Sequence, residues 1–223
     1  MKKSILNVGL ALGMVMSARA ALFSTGEVSG SGMALNLAIP DGNPSGNWSS
    51  LEVSGLDNPL ASLTVTLNVT GGYNGDLYAY LSYGGIRVDL LNRVGTSATS
   101  TGNAVQDAFG YATSGFSSVT LGDGGSSNIH DVQNPVTGIT YLADGGSLSA
   151  FQSVNPNGTW TLFLEDKSTG QFSTLDGWSL DLTPVPEPVN VALSVFAATM
   201  IGVGVYRRNQ ARKAKLECPP VAG

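Results

Sequence analysis

In Leu63-Thr64-Val65-Thr66-Leu67-Asn68-Val69-Thr70 every odd position is apolar and every even one polar. A helix cannot sort its faces with that pattern; a period of two belongs to an extended strand with one buried and one wet face. The alternation recurs in Leu77 to Leu81, in Ile86-Arg87-Val88-Asp89-Leu90, in Trp160 to Leu164 and in Trp178-Ser179-Leu180-Asp181-Leu182. Turn formers stand between the runs: Gly71-Gly72, Asn74-Gly75, Gly84-Gly85, Asn157-Gly158 and Asp176-Gly177. No window between residues 21 and 184 carries a convincing 3.6-residue period. The expected fold is an all-β domain of short antiparallel strands, and two packed sheets are the economical way to bury one face of each. Residues 93–133 differ, being rich in Gly, Ser, Thr and Asn around isolated Phe109, Tyr111, Phe116 and Val119. They predict long loops with one or two strands held by those side chains.

The two ends obey other rules. Lys2 and Lys3 precede an apolar stretch from Ile5 to Met16, and Ala18-Arg19-Ala20 sets small residues before a cut near Ala20-Ala21. Residues 1–20 therefore read as a secretory signal peptide, the apolar run being too short for a second membrane span. The arginine inside the cleavage motif is unusual and leaves the cut position open. At the other end, Val185-Pro186-Glu187-Pro188 leads into residues 189–206, which carry no charge, and then into Arg207, Arg208, Arg212, Lys213 and Lys215. At ~1.5 Å per residue such a helix is roughly 27 Å long, enough for a bilayer core. Arg207 and Arg208 would hold the C-terminal 207–223 segment in the cytoplasm and point everything before Pro184 outward. An apolar tail helix packed on a soluble domain is the other reading.

Between the ends lie about 160 residues, which suit one domain. That segment, 21–184, carries only Arg87, Arg93 and Lys167 against fourteen Asp and Glu, a formal balance of −11 where the whole chain has −5. Nucleic acid is excluded as a partner on that balance, since phosphates need basic patches. The acidic surface serves solubility, or attracts cations. The one cysteine, Cys218, falls in the tail, so no disulfide framework supports the exported domain.

The order Val185, Pro186, Glu187, Pro188, apolar run, Arg207-Arg208 resembles the PEP-CTERM sorting tail of bacterial exported proteins. The resemblance implies an exosortase-like transpeptidase as processing partner, cutting near Pro186-Glu187-Pro188, and final residence at the cell surface or in extracellular polysaccharide. A second resemblance rests on Ile39-Pro40-Asp41, Tyr73-Asn74-Gly75-Asp76-Leu77, Leu121-Gly122-Asp123, the run Gly158 to Asp166 and Thr174-Leu175-Asp176-Gly177-Trp178-Ser179-Leu180. These look like the P domain, or homo B domain, that follows the catalytic domain in proprotein convertases and some bacterial subtilisin-like proteases. The resemblance covers roughly residues 33–182 and implies a jelly-roll β-sandwich of about eight strands. No catalytic domain precedes it in this sequence.

Trp160 and Trp178 fall on the apolar phase of their strands and read as core, an exposed sugar-stacking platform being the minority reading. Asp76 follows a turn glycine, where its carboxylate can cap backbone N–H groups. Alternatively Asp76 joins Asp166, Asp123 and Asp41 as oxygen ligands for Ca2+, the one cofactor the sequence suggests. Residues 122–128 lack a contiguous calcium-loop spacing. The only histidine, His130, sits in a polar loop and reads as solvated; a triad through Asp131 lacks a nucleophile elbow. A carbohydrate-active enzyme would need two placed carboxylates that the sequence does not single out. The expectation is thus a non-catalytic exported protein, sorted by its tail, with a structural or binding module. A permanently membrane-anchored adhesion or carbohydrate-binding module is the alternative.

Overall fold

The computed structural model describes residues 20–26, 34–96, 109–186 and 188–217. The expected signal peptide up to residue 19, and Glu187 of the sorting motif, lie outside them. One compact unit spans Arg19–Val185 and a second includes the C-terminal helix.

The described residues of the compact unit form ten strands in two sheets. They are β1 (Ala21–Gly26), β2 (Leu37–Ile39), β3 (Asn47–Val53), β4 (Leu60–Gly71), β5 (Leu77–Tyr83), β6 (Ile86–Asn92), β7 (Phe116–Gly122), β8 (Thr140–Tyr141), β9 (Gly158–Asp166) and β10 (Ser173–Pro184). The first sheet runs β1-β10-β4-β7-β8, with β2 also pairing β10; the second runs β3-β9-β5-β6. All pairs are antiparallel except β7 with β8. The five alternating runs became β4, β5, β6, β9 and β10, as their period predicts. The hairpin β5–β6 turns on Gly84-Gly85, both at positive φ (58° and 81°), which matches the right-handed twist of the flanking strands.

The inward phases of both sheets form one core. Val65, Leu67, Leu81, Leu162, Leu180 and Leu182 are fully buried, each such side chain being worth about 2 kcal/mol over exposure. Trp160 and Trp178 are 0 % exposed. Trp178 sits on β10 of the first sheet and donates its Nε1–H to Ser49 Oγ on β3 of the second, at 2.8 Å. Trp160 donates to Pro156 O at 2.8 Å and stacks on Tyr83 with ring centroids 4.1 Å apart.

In the loop-rich stretch, Tyr111, Phe116 and Val119 are buried and β7 forms there. Phe109 departs from expectation: its ring is 71 % exposed. The turn Asn74–Asp76 engages the neighbouring backbone instead, with Gly75 N–H donating to Tyr111 O at 2.9 Å.

The second unit contains the helix α1 (Pro188–Glu217). Side chains 195–213 are described on it, and those of Val195, Phe196, Met200, Ile201, Val203, Val205 and Tyr206 are exposed. Thr199 turns its hydroxyl back to Val195 O at 2.8 Å, satisfying itself within the helix. Among the described residues no helix is long and apolar enough to cross a membrane. The side chains of 189–194, the first part of the expected span, lie outside the described set, and the part that is described runs directly into Arg207 and Arg208.

Candidate functional site

The loops that follow β2, β4 and β9 bring three of the four expected ligand residues together. Asp41 comes just after β2, Asp76 ends the turn before β5, and Asp166 closes β9. They share an electrostatic environment: burial pushes the Asp76 carboxyl above its usual range, Ser168 and Arg93 draw it back, and Asp41 pushes it up again. For Asp166 burial again acts first, the Ser168 N–H opposes it, and the charges of Asp76 and Asp41 add to the rise. Asp123 is not part of this group; it stands exposed on the loop after β7, where its Oδ1 accepts from Leu148 N–H at 2.9 Å.

The carboxylate oxygens serve the chain itself. Both oxygens of Asp41 accept from Gly170 N–H at 3.1 Å. Asp166 accepts from Ser168 N–H at 3.2 Å and from the Ser173 hydroxyl at 3.4 Å. The Asp76 carbonyl accepts from Lys167 N–H at 2.9 Å, and its carboxylate takes a hydrogen bond from the Ser168 side chain. The three aspartates thus anchor residues 167–170 to two other loops. Among the described residues no three His, Cys, Asp or Glu side chains converge as metal ligands. Ca2+ needs six or more oxygens on one point, and the oxygens of Asp41, Asp76 and Asp166 are aimed at backbone and hydroxyl donors. The set does not fit the ion.

His130 is fully buried, not solvated. It belongs to the short turn Ile129–Asp131, whose entry is capped by Asn128 Oδ1 accepting from His130 N–H at 2.8 Å. Its Nδ1 lies 2.8 Å from Asp144 Oδ2 and its Nε2 lies 3.0 Å from Thr96 O. Thr96 O can only accept and Asp144 accepts when ionised, so the geometry suits an imidazolium against a carboxylate; burial holds the Asp144 carboxyl above its usual range, and His130 and Asn92 draw it back. Burial pulls the His130 pKa down, but the hydrogen bonds of Asp144 and Thr96, with the charges of Asp144 and Asp131, outweigh that and raise it. No ring nitrogen is left for a serine, and the partner is Asp144 rather than Asp131. Asp144 also accepts from Asn92 N–H at 2.9 Å. Sequence reasoning missed Asp144 because fourteen residues separate it from His130 and nothing local marks it.

A cleft of about 400 Å3 opens beside β4, lined by Val69, Asn74, Thr113, Gln133 and Pro135 among others. Asn74 Oδ1 is buried without a partner among the described residues, while its amide donates to Thr113 Oγ1 at 3.2 Å.

At the sorting motif, β10 makes its last pairing at Pro184 with Leu60, and Val185 N–H donates to Pro59 O at 2.8 Å. Val185 and Pro186 are exposed, and Pro188 opens α1. The rings of Pro186 and Pro188 can donate no backbone hydrogen bond.

No family model matches the chain, and no curated protein does. Among solved structures it is similar in part to the serine protease of Aeromonas sobria in complex with the chaperone ORF2. That match has a TM-score of 0.40 and 15% identity, covering 74% of this chain and 27% of that one. The serine protease of Aeromonas sobria by itself gives a TM-score of 0.37 and 16% identity, over 73% of this chain and 26% of that one. The chain spans about a quarter of the length of these proteins.

Proposed function

We propose that this chain is a non-catalytic exported protein of the cell surface or extracellular matrix. In this reading a signal peptide delivers it, the C-terminal apolar helix holds it in the membrane, and an exosortase-like transpeptidase cuts near Pro186-Glu187-Pro188. The sandwich is a jelly roll of the P-domain kind, with a structural or binding role. The observation that carries the reading is the coincidence of both processing points with the limits of the fold. The compact unit spans Arg19–Val185, β1 begins at Ala21 immediately after the expected signal cut, and Val185 N–H still donates to Pro59 O. Cuts at Ala20-Ala21 and within Pro186-Glu187-Pro188 would remove none of the described strands. The exposed apolar side chains of 195–206, followed by Arg207 and Arg208, support the membrane step. The same helix supports the second reading, a permanently anchored adhesion or ligand-binding module.

The non-catalytic assignment is supported by the chemistry of the groups an enzyme would need. Both nitrogens of His130 are occupied, and the clustered aspartates are tied to backbone donors. The test is intact mass and C-terminal peptide mapping of the mature protein from the cells that make it, with its fraction recorded. A terminus within residues 186–188 supports processing; a chain still carrying Cys218 in the membrane fraction rejects it in favour of the permanent anchor.

A further inference from the structure

The outer face of the second sheet carries a row of aromatic rings. Cross-strand register places Trp48 of β3 beside Phe163 of β9, Phe163 beside Tyr80 of β5, and Tyr80 beside Asp89 of β6. The rings touch: Trp48 and Phe163 lie 4.5 Å apart between centroids, Trp48 meets Tyr80 edge-on at 5.6 Å, and Tyr80 stacks on Phe163 at 4.8 Å. With neighbouring strands about 4.8 Å apart the row extends roughly 10 Å across the sheet. The flanking rings cover Phe163, whereas Trp48 is 50 % exposed. The other two tryptophans are 0 % exposed and hold the core together, so Trp48 does different work.

One register step along, Ser50 and Thr161 face outward with their hydroxyls 3.4 Å apart, and Ser82 and Arg87 continue that row. Arg87 lies with its guanidinium 4.0 Å from the Tyr80 ring centroid and its Nε 3.0 Å from Asp89 Oδ1. Arg87 and Asp89 are therefore paired, while Glu52, on the outward phase of β3, accepts from the Thr159 hydroxyl, and the rings are held before any ligand arrives, which lowers the ordering cost of binding.

We propose that this face binds a neutral polysaccharide, a sugar ring lying on Trp48 and its hydroxyls reaching the row of Ser50, Thr161 and Arg87. An aromatic surface beside hydroxyl and bidentate groups suits a ligand whose ring faces are apolar and whose rims both donate and accept hydrogen bonds. The charge selects among occupants. Segment 21–184 carries a formal −11, which opposes anionic polymers, nucleic acid and a second copy of the same domain. The proposal uses the non-catalytic reading but not the route of export, so its failure leaves the processing reading standing.

The experiment is affinity electrophoresis of the full chain in non-ionic detergent, in native gels cast with hydroxyethylcellulose, glucomannan or dextran, and with alginate as the anionic control. Acrylamide quenching of tryptophan fluorescence runs in parallel. The expected result is retardation by at least one neutral polymer, shielding of the exposed tryptophan, and affinity at least about tenfold weaker in Trp48→Ala. Phe172→Ala, which removes an exposed ring on another loop, should bind as the parent does. Near-UV circular dichroism from the buried tryptophans checks that Trp48→Ala is folded. Lack of retardation by every neutral polymer, undiminished binding by folded Trp48→Ala, or binding to alginate alone overturns the proposal. So does sedimentation showing a dimer that Trp48→Ala dissociates, since the occupant would then be a second copy.

Discussion

His130 and Asp144 form an ion pair with both partners out of water, Nδ1 standing 2.8 Å from Oδ2, while Nε2 of the same ring is held by Thr96 O at 3.0 Å. Together these contacts tie Thr96, which follows β6, to the 128–131 turn and to the chain beyond β8. A buried pair of this kind adds little over an apolar replacement but is expensive to break singly.

The folded-state pKa of His130 lies above its ordinary value of 6.5. A raised histidine contributes stability that is complete below the unfolded value and is lost as pH rises through the folded one. The urea midpoint of the parent should therefore fall on going from pH 6 into the alkaline range. Asp144→Ala, which leaves the buried imidazole without its counter-charge, should cost about 3 kcal/mol at pH 6 and flatten that profile. A midpoint that does not move with pH above 6.5, in parent and variant alike, would show that the ring is neutral.

Asp76 and Asp166 act in the same direction from the opposite chemistry. Both carboxyls are raised above the ordinary 3.8, so protonation favours the folded state and stability grows as pH falls through their folded values towards 3.8. Asp76→Asn should raise the urea midpoint at pH 7, and the advantage should vanish near pH 4. An unchanged or lower midpoint at pH 7 would mean that the hydrogen bond from Ser168 outweighs the burial and repulsion.

Calcium addresses the same loops. With the oxygens of Asp41 and Asp166 engaged by Gly170, Ser168 and Ser173, millimolar Ca2+ or EDTA should leave the thermal midpoint where it is. Mass action at a hundred times the dissociation constant would otherwise add about 2.7 kcal/mol. A Ca2+-dependent rise that Asp166→Asn abolishes would show that these loops rearrange to hold the ion.

The strands that could be read from sequence are those whose two faces differ in polarity. β4 keeps Leu63, Val65, Leu67 and Val69 inward and threonines outward, and Thr66 meets Thr120 across the outer face at 2.9 Å. β3 hid itself because its faces are mixed: Trp48 points out with Ser50 and Glu52, while Ser49 points in with Leu51 and Val53. Ser49 earns its inward place as the acceptor for Trp178, a contact 129 residues away that no local pattern encodes. β1 was concealed for another reason, since Ala21–Gly26 gains its strand character only from pairing with β10. Of the four aspartates grouped as oxygen ligands from the sequence, Asp41, Asp76 and Asp166 come together and Asp123 does not; the His130 partner could not be read locally, because burial and long-range pairing decide it.

The Trp178–Ser49 contact gives a direct measure of how the two sheets hold each other. Trp178→Phe keeps most of the buried ring and removes the donor, and should cost about 1–2 kcal/mol; Trp178→Ala should cost about 3–5 kcal/mol through the cavity. Ser49→Ala strands the indole N–H and should cost about 1–3 kcal/mol. In a double-mutant cycle the Phe and Ala changes should couple by about 1 kcal/mol, read from urea midpoints. Additive losses would deny the hydrogen bond any role between the sheets.

The limits of the fold set the last expectation. The pairing of β10 ends at Pro184 with Leu60, and Val185 N–H closes on Pro59 O, so a chain of residues 20–185 keeps every described strand pair. Its urea midpoint should match that of the full chain. Stopping at Asp181 instead removes Leu182, which pairs with both Ala21 and Leu63, and should cost about 2–5 kcal/mol from the buried leucine alone. Starting at residue 27 removes β1, uncovers the edge of β10 and should produce aggregation through that unpaired strand. Were the 20–185 chain markedly less stable than the full one, residues 186–217 would have to contribute to the sandwich, and cutting at Pro186-Glu187-Pro188 would no longer release an intact domain.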